Sequence, residues 1–180
     1  MSAYIVNKIG KGSYKSRGSK FFSFIHDIDS VESYKHLISV YRLQYPESCH
    51  VCSAYRLITN KRLDEHASDD GEPKGSAGLP ILNQLKRHEL INSALYVVRV
   101  FGGSLLGVPG LIDAYSSSAL LSIDNADKKK WEQKQRISFE YNYDQKGIVE
   151  SLIKEFSPDI VKHNFHDKIS IELSLGDKMV

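Results

Sequence analysis

Residues 68–115 read SDDGEPKGSAGLPILNQLKRHELINSALYVVRVFGGSLLGVPGLIDAY, and their interpretation decides the fold. Two turns rich in glycine and proline bracket a helix and a strand. Glycine gathers where a chain needs positive φ or close backbone approach, which a plain framework rarely requires. Pro80 suits the first turn of a helix over residues 79–90, with Ile81, Leu82 and Leu85 facing inward. Residues 94–101 form the most apolar run in the chain, so they predict a central strand covered on at least one face. Arg99 is the only charge on it. The turn at 102–108 then leads into a second helix over 109–123, with Leu111, Tyr115, Ala119 and Ile123 on one side.

Working outward, residues 3–17 alternate weakly and predict one edge strand leading into a second apolar strand over 19–28. Asp29 and Glu32 resemble a capping box. After them Val31, Tyr34, Ile38, Tyr41 and Tyr45 recur at spacings of three and four until Pro46, a stripe read as core. Strands are expected over 51–58 and 63–67, joined at 59–61. The polar stretch 125–136 reads as a linker. Beyond it, Ile137, Phe139, Tyr141 and Tyr143 alternate with polar residues, and 147–156 carries an apolar helical face. Strands over 160–165 and 169–175 follow. This order is the first part of a ferredoxin-like β-α-β-β-α-β unit. The expected organisation is a domain over 1–124, a linker over 125–136 and a partial ferredoxin-like domain over 137–180. A unit of about 44 residues is marginal alone, so its sheet needs cover from the first domain, a partner or an unusual arrangement, or the chain is cut short.

The composition is that of a globular protein: 41% hydrophobic, 26% charged, net charge +2. No signal-peptide pattern and no membrane-length apolar run is present, so a cytoplasmic protein without membrane contact is expected. Lys8, Lys11, Lys15, Arg17 and Lys20 all precede the first acid, Asp27. This basic arm is read either as phosphate contacts for RNA or the ribosome, or as lysine protection of a strand edge. Cys49 and Cys52 lack a second ligand pair and fall on opposite faces of a strand, so Cys52 is read as packed, with no metal site and no cofactor.

Two clusters are candidate binding sites. The acidic loop comprises Asp69, Asp70, Gly71, Glu72, Pro73, Gly75 and Gly78, and the glycine turn comprises Arg99, Gly102, Gly103, Gly107 and Gly110. Paired carboxylates hold Mg²⁺ or divide into acid and base, which makes a small metal-assisted hydrolase or phosphate-handling enzyme the alternative function. Asp-Gly and Glu-Pro are also ordinary turn chemistry, and no nucleophile with its own base is evident, so no catalytic residue is assigned. A lone arginine on a buried strand needs a partner; Asp69 or Asp70 is expected to supply it. The glycine turn lacks a P-loop's Gly-Lys-Ser/Thr, and no RRM or KH signature is visible.

Asp69-Asp70-Gly71-Glu72-Pro73 with Gly75, Ala77, Gly78 and Pro80 resembles one motif of the IMPACT/YigZ family. Arg99, Phe101, Gly102, Gly103, Leu106, Gly107, Gly110, Leu111, Ala114 and Tyr115 resemble a second. Val100, Pro109 and Ser116 to Ser118 depart from it. The resemblance implies an α+β protein: a two-layer α/β sandwich of the ribosomal protein S5 domain 2 type, a mixed sheet with two or three helices on one face, then a truncated ferredoxin-like module. It also implies a non-catalytic cytoplasmic protein of translation regulation, contacting RNA, the ribosome or a translation-related protein. In eukaryotic relatives the family restrains a kinase of an initiation factor through an additional RWD domain, for which this chain is expected to have no room. A third class, an adaptor using the sheet of 137–175, stays open, as does the oligomeric state.

Overall fold

The structure, a computed structural model, describes residues 3–60, 62–132 and 134–176. It is an α+β protein of two compact units, one within residues 1–131 and one within 132–180. In the first, β1 (Tyr4–Lys8), β2 (Gly10–Ser16) and β3 (Ser19–Asp27) precede α1 (Val31–Gln44). There follow β4 (His50–Thr59), β5 (Arg62–Ser68), α2 (Gly78–Arg87), β6 (Ser93–Val100), α3 (Gly107–Asp124) and β7 (Asp127–Lys130). The Thr59-Asn60-Lys61 turn lies partly outside the described residues.

The main sheet has the order β2-β3-β6-β4-β5, and each neighbouring pair is antiparallel. The expected mixed pairing is therefore replaced. Helix α1 carries the chain across the sheet from β3 to β4 and leaves a gap between them. β6 fills that gap, antiparallel to both.

Alternation along β6 decides how the helices pack. Leu95 and Val97 join Phe21, Ile25, Cys52 and Ala54 under α2 and α3. Ala94, Tyr96 and Val98 join Phe24, Val51, Tyr55 and Leu57 under α1. So α2 and α3 share one face while α1 covers the other: the helices lie on both faces of the sheet and not on the one face expected, because alternate residues of β6 are apolar on both sides. The stripe read as core is core: Tyr34 and Tyr41 are buried, with Val31, Ile38 and Tyr45 packed beside them. Tyr41 stacks on Phe24 with centroids 4.3 Å apart, and Tyr34 stacks on Tyr96 at 5.7 Å. The α1 cap is Ser30, which accepts the Ser33 N–H at 3.1 Å. Asp29, the expected cap, instead accepts the hydroxyls of Ser30 and Ser33 at 2.9 and 2.6 Å.

The expected single edge strand over 3–17 is two strands. β2 pairs β3, whereas β1 pairs β7, so Asp127–Lys130 is strand within the stretch read as linker. Gly10 marks the division. A Cβ there would lie 1.9 Å from the Ser122 carbonyl oxygen and 2.8 Å from the Ala126 Cβ, so a bare backbone lets β2 lie against α3.

The second unit comprises β8 (Lys134–Tyr141), a short 3-10 turn (Tyr143–Gln145), α4 (Lys146–Phe156), β9 (Asp159–Phe165) and β10 (Ile169–Gly176). Its antiparallel sheet has the order β8-β10-β9, with the third strand between the first two, as in a partial ferredoxin-like unit. Tyr141, Ile169, Ile171 and Leu173 pack on Val149 and Ile153 of α4. Among the described residues no helix is long and apolar enough to cross a membrane.

The β2–α3 seam carries a prediction. Gly10→Ala forces backbone to move and is expected to cost about 1–3 kcal/mol in chemical denaturation. An unchanged midpoint would mean that the seam has slack to take up the added methyl group.

Candidate functional site

The site is built where β5 ends and α2 begins. Ser68 and Gly78 lie back to back, so the residues between must form a tight excursion. Asp70 (φ 45°), Gly71 (91°) and Gly75 (76°) turn it in the left-handed region. Pro73 closes a turn by accepting the Ser76 N–H at 3.0 Å and its hydroxyl at 2.6 Å.

Each acid of the loop has a separate task. The Asp69 carboxylate accepts the N–H groups of Gly75, Ala77 and Gly78 at 2.7, 3.0 and 2.8 Å. Helix α2 has no side-chain cap of its own at Ala77, so Asp69 caps it from outside. Burial pushes the Asp69 carboxyl up, and the three backbone donors pull it further down, to a net position below its usual value. The Asp70 carboxylate accepts the Val51 N–H at 2.7 Å and pairs with Arg42 of α1. The Asp70 carbonyl accepts from Nδ1 of His50 at 2.7 Å.

Glu72 turns inward. Its Oε1 accepts Nη1 of Arg99 at 2.6 Å and the Tyr115 hydroxyl at 2.8 Å, with Nε2 of His50 4.0 Å away. Glu72, Arg99 and Tyr115 are all buried. This corrects the expected pairing of Arg99 with Asp69 or Asp70. On β6, Arg99 shares the face of Leu95 and Val97, toward α3, and Glu72 is the acid that reaches Tyr115 on that side. The guanidinium lies 5.7 Å from the Phe21 ring centroid and 5.5 Å from that of Phe101, and its Nε has no hydrogen-bond partner among the described residues.

Cys52 is packed, as expected, and its thiol donates to the Asp69 carbonyl at 3.0 Å. Burial pushes both the Cys52 thiol and the Tyr115 phenol far up, so both stay protonated. Cys49 is exposed, and among the described residues no group of three His, Cys, Asp or Glu side chains is placed to hold a metal ion.

The glycine turn meets the acidic loop through Arg99, which donates to Glu72. The Gly102 N–H is taken by Ser19 Oγ at 3.2 Å, and a Cβ on Gly102 would lie 1.9 Å from the Gly18 carbonyl carbon. Here glycine is a requirement of packing. Gly103 and Gly107 have φ of 86° and 68°, and Gly110 rests on Leu106. The residues flanking the α3 start, Phe101, Leu105, Val108 and Ile112, are exposed and apolar, a poor setting for phosphate.

The basic arm is divided. Lys8 lies opposite Asp127 in the β1–β7 pair. Lys11 and Lys15 lie on β2, Arg17 in the turn and Lys20 on β3, directly opposite Lys15. All five are exposed. Lys11, Lys15 and Lys20 share the face of Phe22, which is half-buried and stacks on Tyr45 at 5.2 Å. Arg42 and Tyr115 were absent from the sequence candidates. Tyr115 stood in the second motif as a possible signal, whereas nothing local marks Arg42.

Two predictions test these linkages. Arg99→Leu strands Glu72 and is expected to cost about 3–5 kcal/mol, with Arg99→Leu/Glu72→Leu regaining much of it in the same denaturation assay. Asp69 titrates lower when folded than when unfolded. Its contribution is therefore complete above about pH 4 and is lost as pH falls through the depressed folded value. Asp69→Asn is expected to be less stable at neutral pH and to lose less stability down an acid series.

A family model for the Impact N-terminal domain matches residues 17–123. The IMPACT family member YvyE of Bacillus subtilis is 26% identical over 177 residues, covering 98% of this chain and 81% of that one. YigZ of Escherichia coli, also named an IMPACT family member, is 27% identical over 160 residues, covering 87% and 78%. A crystal structure described only as that of a hypothetical protein superposes with a TM-score of 0.75 at 25% identity, covering 99% of this chain and 87% of that one. With its acidic loop, central strand and glycine turn all inside the matched domain, the chain belongs to the IMPACT family.

Proposed function

We propose that this is a non-catalytic cytoplasmic protein of translation regulation, and that it binds RNA or the ribosome through the face carrying Lys11, Lys15 and Lys20. Membership of the IMPACT family supports the regulatory part of this reading. One observation supports the surface: three exposed lysines share one sheet face, and none is within salt-bridge distance of a carboxylate among the described residues. Like charges across a strand pair repel, and a polyanion relieves that repulsion. The Phe22 and Tyr45 rings on the same side stack on each other and pack against the core, so charge alone supports the reading. Arg17 adds charge at the end of the pair, and Lys8 lies apart.

The hydrolase alternative has less support. Asp69 caps α2, Asp70 holds β4 and α1, and Glu72 holds Arg99 and Tyr115, so each carboxylate already has a structural task. Asp70→Ala is therefore expected to lower stability with no metal-dependent turnover at stake.

Binding to ribosomes and to single-stranded RNA, measured across a salt series, tests the proposal. Reversal of Lys11, Lys15 and Lys20 to Glu is expected to abolish binding at moderate salt. The log–log salt slope should fall by about 2 if all three contact phosphate. Absence of binding at low salt overturns the RNA reading and turns the search to a protein partner.

A further inference from the structure

Strands β5 and β6 are both antiparallel to β4, so they end at the same end of the main sheet. Helices α2 and α3 start there and run back side by side, away from α1. Between them lies a cavity of about 220 Å³. Its α2 wall is one stripe, residues 79–80, 83–84 and 87, and its α3 wall is Ile112 and Ser116, one turn apart. Gln84 Nε2 donates to Ser116 Oγ at 2.6 Å and sets the two helices in register. One turn before that level the walls are Leu79, Pro80 and Ile112; one turn beyond it on α2 stands Arg87. The cavity is therefore apolar at the acidic-loop end and polar at the other.

The polar end holds donors without acids. Gln84 is 5% exposed and is the one polar side chain on the buried face of α2. Ser116, having accepted from Gln84, keeps its own proton, and among the described residues no acceptor takes it. Arg87 is exposed and, among the described residues, forms no ion pair, whereas its neighbour Lys86 is committed to Glu65. No carboxylate lines the cavity. Asp69, which bonds Gly75 on the rim, has both oxygens taken by backbone N–H groups. We infer that the cavity binds a small carboxylate with a branched apolar body. The carboxylate meets Arg87, with Asn83 and Ser116 as further donors, and the body lies on Leu79, Pro80 and Ile112. A guanidinium joined by neutral donors, with no acid of its own, selects an anion, and charge-assisted bonds orient it. The volume lies below the roughly 300–1,000 Å³ of drug-sized sites, so the ligand is a short-chain acid or the C-terminal aliphatic residue of a peptide. The lysines of β2 and β3 lie on the α1 side of the sheet, so the inference stands apart from the RNA reading.

Titration of the full chain with isocaproate tests it, followed by nuclear magnetic resonance of the Asn83 and Gln84 side-chain amides. Saturable shifts there, with a dissociation constant of about 1–10 mM, are expected for so small a ligand. Isocaproamide, of the same shape without the charge, is expected to bind about tenfold more weakly, as is isocaproate to Arg87→Glu. Arg87 is exposed, and an unchanged spectrum away from the cavity establishes that this variant is folded. A short peptide ending in leucine, with its carboxylate free or amidated, separates the two sources. Binding of the free-ended form assigns a chain terminus, and its exclusion assigns a free acid. Equal binding of acid and amide overturns the proposal. So does indifference to Arg87→Glu, or the absence of saturable shifts with either acid up to about 50 mM.

Discussion

The buried bond between Arg99 and Glu72 is the constraint on which the first unit depends. A guanidinium on the central strand of an apolar sheet is costly to bury unless a carboxylate meets it. Glu72 does so from a loop, so the loop must take one conformation. That conformation delivers Asp69 to the first amides of α2 and Asp70 to β4 and α1. Tyr115 brings α3 to the same carboxylate oxygen. One charge on β6 thus ties together the three helices and the end of β5.

Around this polar centre the remaining packing is aromatic on one side and aliphatic on the other. Face-on and edge-on ring contacts link Phe24, Tyr34, Tyr41, Tyr55 and Tyr96 beneath α1. Leu, Ile and Ala residues dominate under α2 and α3, where Gly10 and Gly12 bring β2 close to α3. The acids of the loop belong to the scaffold, while the lysines of β2 and β3 are exposed. The loop faces a sheet that needs its charges, whereas the lysines face water.

The second unit is built on a smaller core and leaves more apolar surface open. Ile148, Leu152, Phe156, Ile160 and Phe165 are all exposed. Exposed apolar groups in this number commonly mark association surfaces.

The sequence by itself determined the element types and their order, because periodicity and turn chemistry are local. The helices at α1, α2, α3 and α4 and the strands around Arg99 and Ile137 were all legible in it, as was the need of Arg99 for a carboxylate. Only the tertiary structure decided which carboxylate that is. Asp69, Asp70 and Glu72 are all carboxylates within four residues, and the left-handed turns of the loop, at Asp70, Gly71 and Gly75, send them in three directions. The placement of α1 opposite α2 and α3 was likewise decided there, since a helix stripe says that a face is buried but not against which side of a sheet. The division of residues 3–17 into two strands, and the pairing of β7 with β1, rest on contacts between residues far apart in the chain. No local signal carries such contacts, because their free energy exists only once both elements are formed and brought together.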